Sequence, residues 1–324
     1  MKDVVGISSL NVDYIYESED LSFLEPFYPE GGYRRQWVLT DSREIEKLKI
    51  ILKEKARLIS KTGGGSGANT VFGLAKMGFQ SGIVGKIGRD AEADFLIQEM
   101  KIIPYHHLAR DQWSGQALIL LGPNRDRTIL LVPNANRTLA WTDLDLDFIR
   151  SFSIMHLTSL LGEGLKLQER LAREMSGRVR ISFDPGEVYV RQGLSRLTPI
   201  LSRCEILFIT EKELEILTGL PRPESVSVIQ SAGPQIIVIK KKGAGALVVQ
   251  GAKTWDLPAE IIRAKDTTGA GDVFAAGFLA GLLKGLFLPD CGRLGLSLAG
   301  QSMMGLGRAA YPGKEDLELA LIQL

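Results

Sequence analysis

The sequence predicts an α/β protein built around a mostly parallel β-sheet that helices cover on both faces. From residue 151 onward, apolar segments of strand length alternate with helical patterns across short connections, as expected for successive βαβ units. Residues 4–7 form a short apolar strand that ends in polar residues, a pattern typical of a ligand-binding edge. The chain has 324 residues, 45% of them hydrophobic, which suits one large α/β domain with an accessory piece, or two domains.

Composition and charge exclude several classes of protein. The 39 Lys and Arg residues nearly balance 38 Asp and Glu, giving a net charge of +1, so we expect a small-molecule partner, with no nucleic acid and no membrane. Cys204 and Cys291 lack metal-ligand spacing, which favours a reduced, cytoplasmic protein. The N-terminus turns polar too early for a signal peptide. Residues 273–288 are apolar but interrupted by Lys284, which predicts a buried helix because the stretch is too short for a bilayer.

Two polar residues follow the first strand, within the sequence SSLNVD at residues 8–13. Asn11 and Asp13 are candidates for binding the hydroxyl groups of a substrate, because the carboxyl ends of parallel strands border the ligand crevice. An Asx turn is the alternative explanation, since both residue types form such turns readily.

Residues 14–61 are predicted to be an insertion. Its first half, with YPEGG at residues 28–32, has the pattern of loops and a short strand. In its second half, Asp41 and Glu44 form a capping-box pattern, and Ile45, Leu48, Leu52 and Ile59 recur near helical spacing, which predicts a helix. Farther on, strand-like residues 116–121 and 128–132 flank the turn-like segment GPNRDR, which predicts a hairpin.

A glycine-rich turn, GGGSGANT at residues 63–70, leads into the next helix. Gly64 and Gly65 would let a ligand lie against bare backbone, and Asn69 offers it both a donor and an acceptor. A tight strand-to-helix turn explains the same residues without any ligand. The pattern is not the dinucleotide fingerprint, because the third glycine is missing. Asp90, farther along, has the pattern of a structural helix cap.

A second glycine-rich turn, DTTGAGD at residues 266–272, opens the apolar segment that follows it. Unpaired N–H groups at the positive end of a helix dipole favour an anion, and phosphate is the natural one. Asp272 lies where those N–H groups converge, so it is a candidate for taking a proton from a hydroxyl that attacks phosphorus. A plain helix cap is the alternative.

These motifs resemble the signatures of the ribokinase-like family, also called PfkB carbohydrate kinases. The resemblance is residue for residue over DTTGAGD and covers nearly the whole chain. It implies a ribokinase-like three-layer α/β sandwich with a mostly parallel central sheet, plus a small β lid. The sandwich would comprise residues 1–13, 62–107 and 133–324. The lid would comprise residues 14–61 and 108–132, with an inserted helix organised as in the adenosine-kinase branch.

The resemblance also implies roles for individual residues. Asp272 would be the general base, and the backbone of Gly269, Ala270 and Gly271 would form the anion hole. The residues expected to bind the phosphate acceptor are Asn11, Asp13, Gly64, Gly65 and Asn69. The residues expected on the nucleotide side are Thr210, Glu213, Lys240, Gly243 and Gly245.

Two departures from the family pattern concern the nucleotide side. The family usually has Asn-x-x-Glu where this chain has Thr210 and Glu213, with the Glu holding Mg²⁺ through water. Thr in place of Asn predicts weaker or altered metal positioning, although a Thr-capped helix explains the pair as well. The loop KKKGAG at residues 240–245 matches in part, because Lys242 stands where Gly is common. Its lysines either neutralise triphosphate charge or belong to a solvated turn.

The function implied is an ATP-dependent kinase that uses Mg²⁺, and in some members a monovalent cation such as K⁺, to phosphorylate a primary hydroxyl of a sugar. A nucleoside is the alternative acceptor, which the long insertion favours, with Tyr14, Tyr16, Phe27 and Trp37 as candidates for stacking on a base. A catalytically idle metabolite-binding homologue is the alternative of another class. Exposed lid strands would allow a homodimer.

Overall fold

The computed structural model describes residues 1–27, 36–122 and 127–324. Its strands are β1 (Lys2–Ile7), β2 (Asn11–Glu17), β3 (Gln36–Val38), β4 (Arg57–Gly64), β5 (Ser81–Ile87), β6 (Tyr105–Arg110), β7 (Gly115–Leu121), β8 (Arg127–Val132), β9 (Phe152–Thr158), β10 (Arg180–Asp184), β11 (Ile206–Thr210), β12 (Ile236–Lys240), β13 (Ala246–Gln250) and β14 (Lys253–Leu257). Its α-helices are α1 (Ser42–Lys55), α2 (Ser66–Lys76), α3 (Ala91–Glu99), α4 (Leu146–Arg150), α5 (Gly164–Met175), α6 (Gly186–Val190), α7 (Leu194–Leu201), α8 (Glu211–Thr218), α9 (Glu224–Ala232), α10 (Ala270–Leu283), α11 (Leu288–Ser302) and α12 (Lys314–Ile322).

The main sheet has nine strands in the order β14-β13-β12-β11-β10-β9-β1-β5-β6. Every pair from β6 to β12 is parallel, and β13 and β14 continue the sheet as an antiparallel edge. Consecutive parallel strands are joined through helices, which the alternating sequence pattern requires. The predicted mostly parallel α/β sheet is therefore confirmed.

Helices cover both faces of the main sheet and enclose two hydrophobic cores. On one face, residues such as Phe208 of β11 and Phe274 of α10 pack in a core with α2, α3 and α11. On the other face, residues such as Phe183 of β10 and Leu197 of α7 pack in a core with α5, α8 and α9. The central strands are buried on both sides, which explains their nearly continuous apolar sequence. The arrangement is a three-layer sandwich.

A second sheet of five strands, β3-β8-β7-β2-β4, forms the lid. The predicted hairpin is present, since β7 and β8 pair antiparallel, while its turn residues 123–126 and the YPEGG segment lie outside the described residues. Helix α1 begins at its cap Asp41 and packs Leu48 and Leu52 against one face of the sheet. The inserted helix therefore covers one face of the lid.

The lid strands overlap the domain limits expected from sequence. The lid sheet includes β2 from Asn11 and β4 up to Gly64, so the expected limits at residues 13 and 62 fall inside these strands. Residues 57–59, expected to continue the inserted helix, belong to β4 instead. Asn11 and Asp13 are therefore the first and third residues of β2, and Gly64 is the last residue of β4.

Strand ends place the functional candidates along one edge. Thr158, Asp184, Thr210 and Lys240 end β9, β10, β11 and β12. Thr158 pairs with Asp184, and Thr210 pairs with Lys240. This is the carboxyl edge of the parallel strands, where α/β sheets bind ligands. No helix among residues 1–27, 36–122 and 127–324 is long and apolar enough to cross a membrane.

Candidate active site

The glycine-rich turn before α2 packs directly against the side chain of Asp13. A Cβ on Gly64 would lie 2.1 Å from Oδ1 of Asp13, so only glycine lets the carboxylate rest on this backbone. Asp13 is 8% exposed, and β2 pairs with β4 so that Asn11 is opposite Gly64. Gly65 follows as the residue before α2. The structure thus brings four of the predicted acceptor-side residues together.

Asn136 belongs to the same site and was missed by sequence reasoning. Its side chain is 3% exposed, and its Nδ2 donates to Oδ1 of Asn11 at 2.8 Å. Its Oδ1 accepts from the N–H of Leu10 at 2.8 Å. The available signal was the sequence NAN directly after the second hairpin strand, where a buried amide can orient the end of a neighbouring strand.

The second glycine-rich turn places Asp272 in the first turn of α10. Oδ1 of Asp266 accepts from the N–H of Thr268 at 2.8 Å, which shapes the turn as an Asx motif. Gly269 precedes the helix with φ of +76°, and a Cβ there would lie 2.1 Å from the hydroxyl of Tyr311. Both the conformation and the space therefore require glycine.

The carboxylate of Asp272 is held by the other turn. The hydroxyl of Ser66 donates to its Oδ1 at 2.6 Å, and Nδ2 of Asn69 donates to its Oδ2 at 2.8 Å. Desolvation raises the pKa of Asp272 to about 6, although these two hydrogen bonds oppose the shift. A carboxylate with this pKa is ionised at neutral pH and is a stronger proton acceptor than an ordinary Asp, so a role beyond capping is chemically available.

The N–H groups at the start of α10 differ in how they are used. The N–H of Ala270 donates to the carbonyl of Thr267 at 3.3 Å, and that of Asp272 to the carbonyl of Gly269 at 3.0 Å. The N–H of Gly271 has no backbone partner among the described residues. The expected anion hole is thus a tight turn in which one N–H group is open and two form turn bonds.

Asn69 differs from its expected role in one respect. Its Oδ1 accepts from Nε of Arg308 at 2.9 Å while its Nδ2 binds Asp272. The amide is therefore engaged by the protein at both ends, and a contact with an acceptor would have to share it. Arg308 is a further residue that sequence reasoning missed, since it comes from the C-terminal segment GRAAYP.

A buried ion pair lies beside the second turn. Nζ of Lys240 is 2.5 Å from Oδ2 of Asp184, and a Cβ on Gly271 would lie 3.6 Å from the same Nζ. Burial alone would lower the pKa of Lys240, but the carboxylates of Asp184 and Glu213 outweigh that effect and raise it. Lys240 is therefore a permanent cation next to the open N–H group of α10.

Thr210 and Glu213 form a capping box at the start of α8. The carboxylate of Glu213 accepts from the N–H of Thr210 at 2.8 Å, and the N–H of Glu213 donates to Oγ1 of Thr210 at 3.2 Å. Burial raises the pKa of Glu213, and Lys240 acts against the shift. The capping alternative is present, and it leaves a carboxylate facing the Lys240 cluster.

The remaining nucleotide-side candidates lie in the turn between β12 and β13. Gly243 and Gly245 both have positive φ, and the N–H of Lys241 donates to the carbonyl of Gly245 at 2.8 Å. The side chain of Lys241 pairs with Asp256. Of the loop lysines, Lys240 alone belongs to the buried cluster beside α10.

Two of the aromatic candidates for base stacking are structural. Phe27 and Trp37 are 9% and 6% exposed and pack in the lid core with α1, so their rings are unavailable to a ligand. Tyr14 is half-buried, and its hydroxyl donates to Glu92 of α3 at 2.9 Å. Tyr16 packs against the same lid core.

The residues present suit a metal held mainly through water and phosphate. No group of three or more His, Cys, Asp or Glu side chains in the described part of the chain could hold a metal ion. Mg²⁺ commonly keeps several waters and binds through one or two carboxylates together with substrate phosphates. Glu213 and Asp184 near the cation cluster fit such an arrangement.

Comparisons with known proteins show the family of the chain. The model of the pfkB family carbohydrate kinases matches residues 43–309. An uncharacterized sugar kinase of Archaeoglobus fulgidus is 30% identical over 253 residues, which cover 76% of this chain and 100% of the relative.

Solved structures share the fold over nearly the full chain. A crystal structure of ribokinase from Thermotoga maritima has a TM-score of 0.80 and 22% identity, covering 99% of this chain and 100% of its own. The adenosine kinase of Sinorhizobium meliloti has a TM-score of 0.84 and 20% identity, covering 100% of this chain and 99% of its own. Because the family model spans most of the sequence, this chain belongs to the PfkB family of carbohydrate kinases and is a phosphotransferase with an alcohol group as acceptor.

Proposed function

We propose that the protein transfers the γ-phosphoryl group of ATP to a primary hydroxyl of a sugar or sugar-like substrate. The observation that carries the proposal is the position of Asp272, in the first turn of α10. Its carboxylate is hydrogen-bonded to Ser66 and Asn69 of the acceptor-side turn and lies beside the cation Lys240. A base between an acceptor site and an anion site is what phosphoryl transfer to an alcohol needs.

Asp272 would accept the proton of the attacking hydroxyl. Its pKa of about 6 keeps it ionised at pH 7 while bringing it closer to the pH at which a general base is most effective. Negative charge on the transferring group would be stabilised by the open N–H of Gly271 and the ammonium of Lys240. Ala270 and Gly269 would contribute the shape of the turn.

The acceptor would bind between the lid and the first glycine-rich turn. Asp13 and Asn11 offer carboxylate and amide oxygens to hydroxyl groups, and the bare backbone of Gly64 and Gly65 lets a ring lie close. Closure of the lid over the acceptor would exclude water and limit hydrolysis of ATP.

The nucleotide would bind along the ends of β11 and β12, near Thr210, Lys240 and the Gly243–Gly245 turn. Mg²⁺, when bound with ATP, supplies charge neutralisation at the phosphates, and Glu213 would hold it through water. The use of a monovalent cation such as K⁺ stays a prediction. Weaker metal use, caused by Thr210 in place of the usual Asn, also stays a prediction.

A nucleoside is the second candidate acceptor. It is supported by α1, which covers one face of the lid as the adenosine-kinase-like insertion predicts. A homodimer through the lid is a separate proposal, supported by β4, which is an edge strand of the lid sheet in the described residues; an edge strand can pair with another strand. The mass of the purified protein by light scattering would test it.

The test of function is ADP release from Mg-ATP with a panel of sugars, sugar phosphates and nucleosides. Turnover with one class identifies the acceptor, and Asp272→Asn should lower kcat with it by about 10²- to 10⁴-fold, because general-base catalysis contributes that much. Asp290→Asn is a matched control, because Asp290 lies in the first turn of the neighbouring helix α11. Near-normal turnover by Asp272→Asn would contradict the role of base, and ATP binding without turnover on any acceptor would favour the idle homologue.

A further inference from the structure

The C-terminal segment contributes a buried cation to the acceptor side of the site. Arg308 lies in the short 3₁₀ helix Gly307–Ala310 and is 3% exposed. Its Cζ is 4.9 Å from the ring centroid of Phe72. Burial lowers the pKa of Arg308, but a guanidinium in a protein stays charged. Burying such a charge is costly, so its contacts need a purpose.

Within the described residues the guanidinium makes two hydrogen bonds, and both join it to the glycine-rich turn before α2. Nε donates to Oδ1 of Asn69 at 2.9 Å, and Nη2 donates to the carbonyl of Gly64 at 3.3 Å. Nη1 has no hydrogen-bond partner in the part of the chain that the structure describes, and it lies against Gly63, where a Cβ would be 2.3 Å away. Arg308 therefore supports the backbone of this turn, and its charge interacts with Asp13 and Asp272.

The amide of Asn69 has only one orientation that satisfies both of its neighbours. A guanidinium can only donate, and an ionised carboxylate can only accept. Oδ1 must then face Arg308, and Nδ2 must face Asp272, as observed. In a flipped amide, Nδ2 of Asn69 would face the donor Nε of Arg308, and Oδ1 would face the acceptor carboxylate of Asp272. The cation thus fixes the donor that Asp272 receives.

We propose that Arg308 is a positioning residue for phosphoryl transfer, acting through the amide of Asn69 on the carboxylate of Asp272. The proposal rests on the proposed role of Asp272 as base. Arg308, Asn69 and Asp272 form a hydrogen-bonded chain of a cation, an amide and an anion. The two hydrogen bonds polarise the amide in the same direction, so each strengthens the other. Through Gly64, the same guanidinium also fixes the backbone on which Asp13 rests.

Several charged groups surround Asp272, and each of them favours either its protonated or its ionised form. Asp184 favours the protonated carboxyl, while Lys240 favours the ionised form. Tyr311, buried nearby, is neutral at ordinary pH because burial raises its pKa. Arg308 favours ionised Asp272 through the intervening amide. Its removal should raise the pKa of Asp272 further.

The experiment measures the pKa of Asp272 directly, so it needs no acceptor. The ¹³C shift of its side-chain carboxyl, assigned by its loss in Asp272→Asn, is followed against pH. We expect Arg308→Met and Asn69→Leu each to raise this pKa by about 0.5 to 1 unit, because a nearby cation or donor to the charged form lowers a carboxyl pKa. Arg308→Lys should lie between Arg308→Met and the wild type.

The double variant distinguishes a relay from separate effects. If Arg308 acts through Asn69, then Arg308→Met in the Asn69→Leu background should add little further shift, whereas independent residues would add in full. Arg293→Met, which removes an exposed arginine of α11, is the matched control and should leave the pKa unchanged. Thermal unfolding of each variant shows which of them is folded.

Two results would overturn the proposal: an unchanged Asp272 pKa in folded Arg308→Met or Arg308→Lys, or a fully additive shift in the double variant. Failure of the proposed function is a different result, since it would appear as turnover by Asp272→Asn whatever the pKa values are. A kcat that falls in Arg308→Met with an upward shift of the acid limb of its pH profile would support the proposal in the working enzyme.

Discussion

Helices α2 and α10 both begin at a glycine-rich turn on the same edge of the main sheet. At the start of α2, side chains of the protein accept hydrogen bonds from the helix N–H groups. The N–H of Gly67 donates to Oγ1 of Thr158 at 3.2 Å, and the N–H of Ala68 donates to Oγ of Ser8 at 2.9 Å. Both hydroxyls come from the ends of adjacent strands, β1 and β9. Two N–H groups at the positive end of α2 are therefore bound by hydroxyls of the protein.

The start of α10 differs, because no side-chain hydroxyl accepts from its N–H groups in the part of the chain that the structure describes. The N–H of Gly271 has no backbone partner among residues 1–27, 36–122 and 127–324, and the nearest strand end supplies the cation Lys240 in place of a hydroxyl acceptor. Both turns look alike as sequence. We infer that the neighbouring strand ends decide which of the two helix N-termini is available to a phosphate group.

The largest effect that follows from this contrast concerns Lys240. Lys240→Met removes the cation beside the open end of α10, and we expect kcat/KM for ATP to fall about 10²- to 10³-fold, because one preorganised group at the developing charge contributes that much. Binding of a fluorescent ATP analogue should weaken together with turnover.

Controls for Lys240→Met separate charge from stability. The variant leaves the buried carboxylate of Asp184 without its partner, which destabilises the fold, so Lys240→Met/Asp184→Leu should regain stability without regaining turnover. Lys253→Met, on the edge hairpin, should change neither property. A Lys240→Met enzyme with unchanged kcat/KM would mean that the N-terminus of α10 binds phosphate without a cation, if it binds phosphate at all.

A smaller effect is expected from pH. Asp272 must be ionised to accept a proton, and its pKa is about 6. As pH falls through 6 the carboxyl becomes protonated, so kcat/KM should decrease about tenfold for each unit below that value. The pH profile of the wild type checks this, and the residual activity of Asp272→Asn should lack the limb. An acid limb near pH 4 would show that the carboxyl is not desolvated in the working enzyme.

Sequence predicted the framework of the molecule because its signals are local. Alternating apolar segments gave the parallel sheet, and DTTGAGD gave the turn, since Gly269 can adopt its positive φ at no steric cost. Asp90 was identified correctly as the cap of α3 from local pattern alone, and its side chain accepts from Ala93.

The contacts missed by sequence reasoning are long-range ones. Arg308 meets Asn69 across 239 positions of the chain, and Asn136 meets Leu10 across 126, so no periodicity connects them. Nor could sequence show that Trp37 of β3 and Phe27 of the 3₁₀ helix Ser22–Phe27 belong to the lid core. The buried face of so short an element is fixed only when its packing partners are known. Local chemistry predicts which groups exist, and topology decides which of them meet.

The smallest expected effect tests the closed helix end. Ser8→Ala removes the acceptor for the N–H of Ala68, and we expect the free energy of unfolding to fall by about 1 kcal/mol, as for loss of a helix cap. Turnover should change less than about twofold, because Ser8 binds the start of α2, whereas the proposed phosphate site is the start of α10. Urea unfolding and ADP release measure the two quantities, with Ser231→Ala on α9 as a control, since its hydroxyl donates only to Ser227 four residues earlier. A large loss of turnover in folded Ser8→Ala would mean that the start of α2 takes part in the reaction, so that the two glycine-rich turns are less different than their hydrogen bonds indicate.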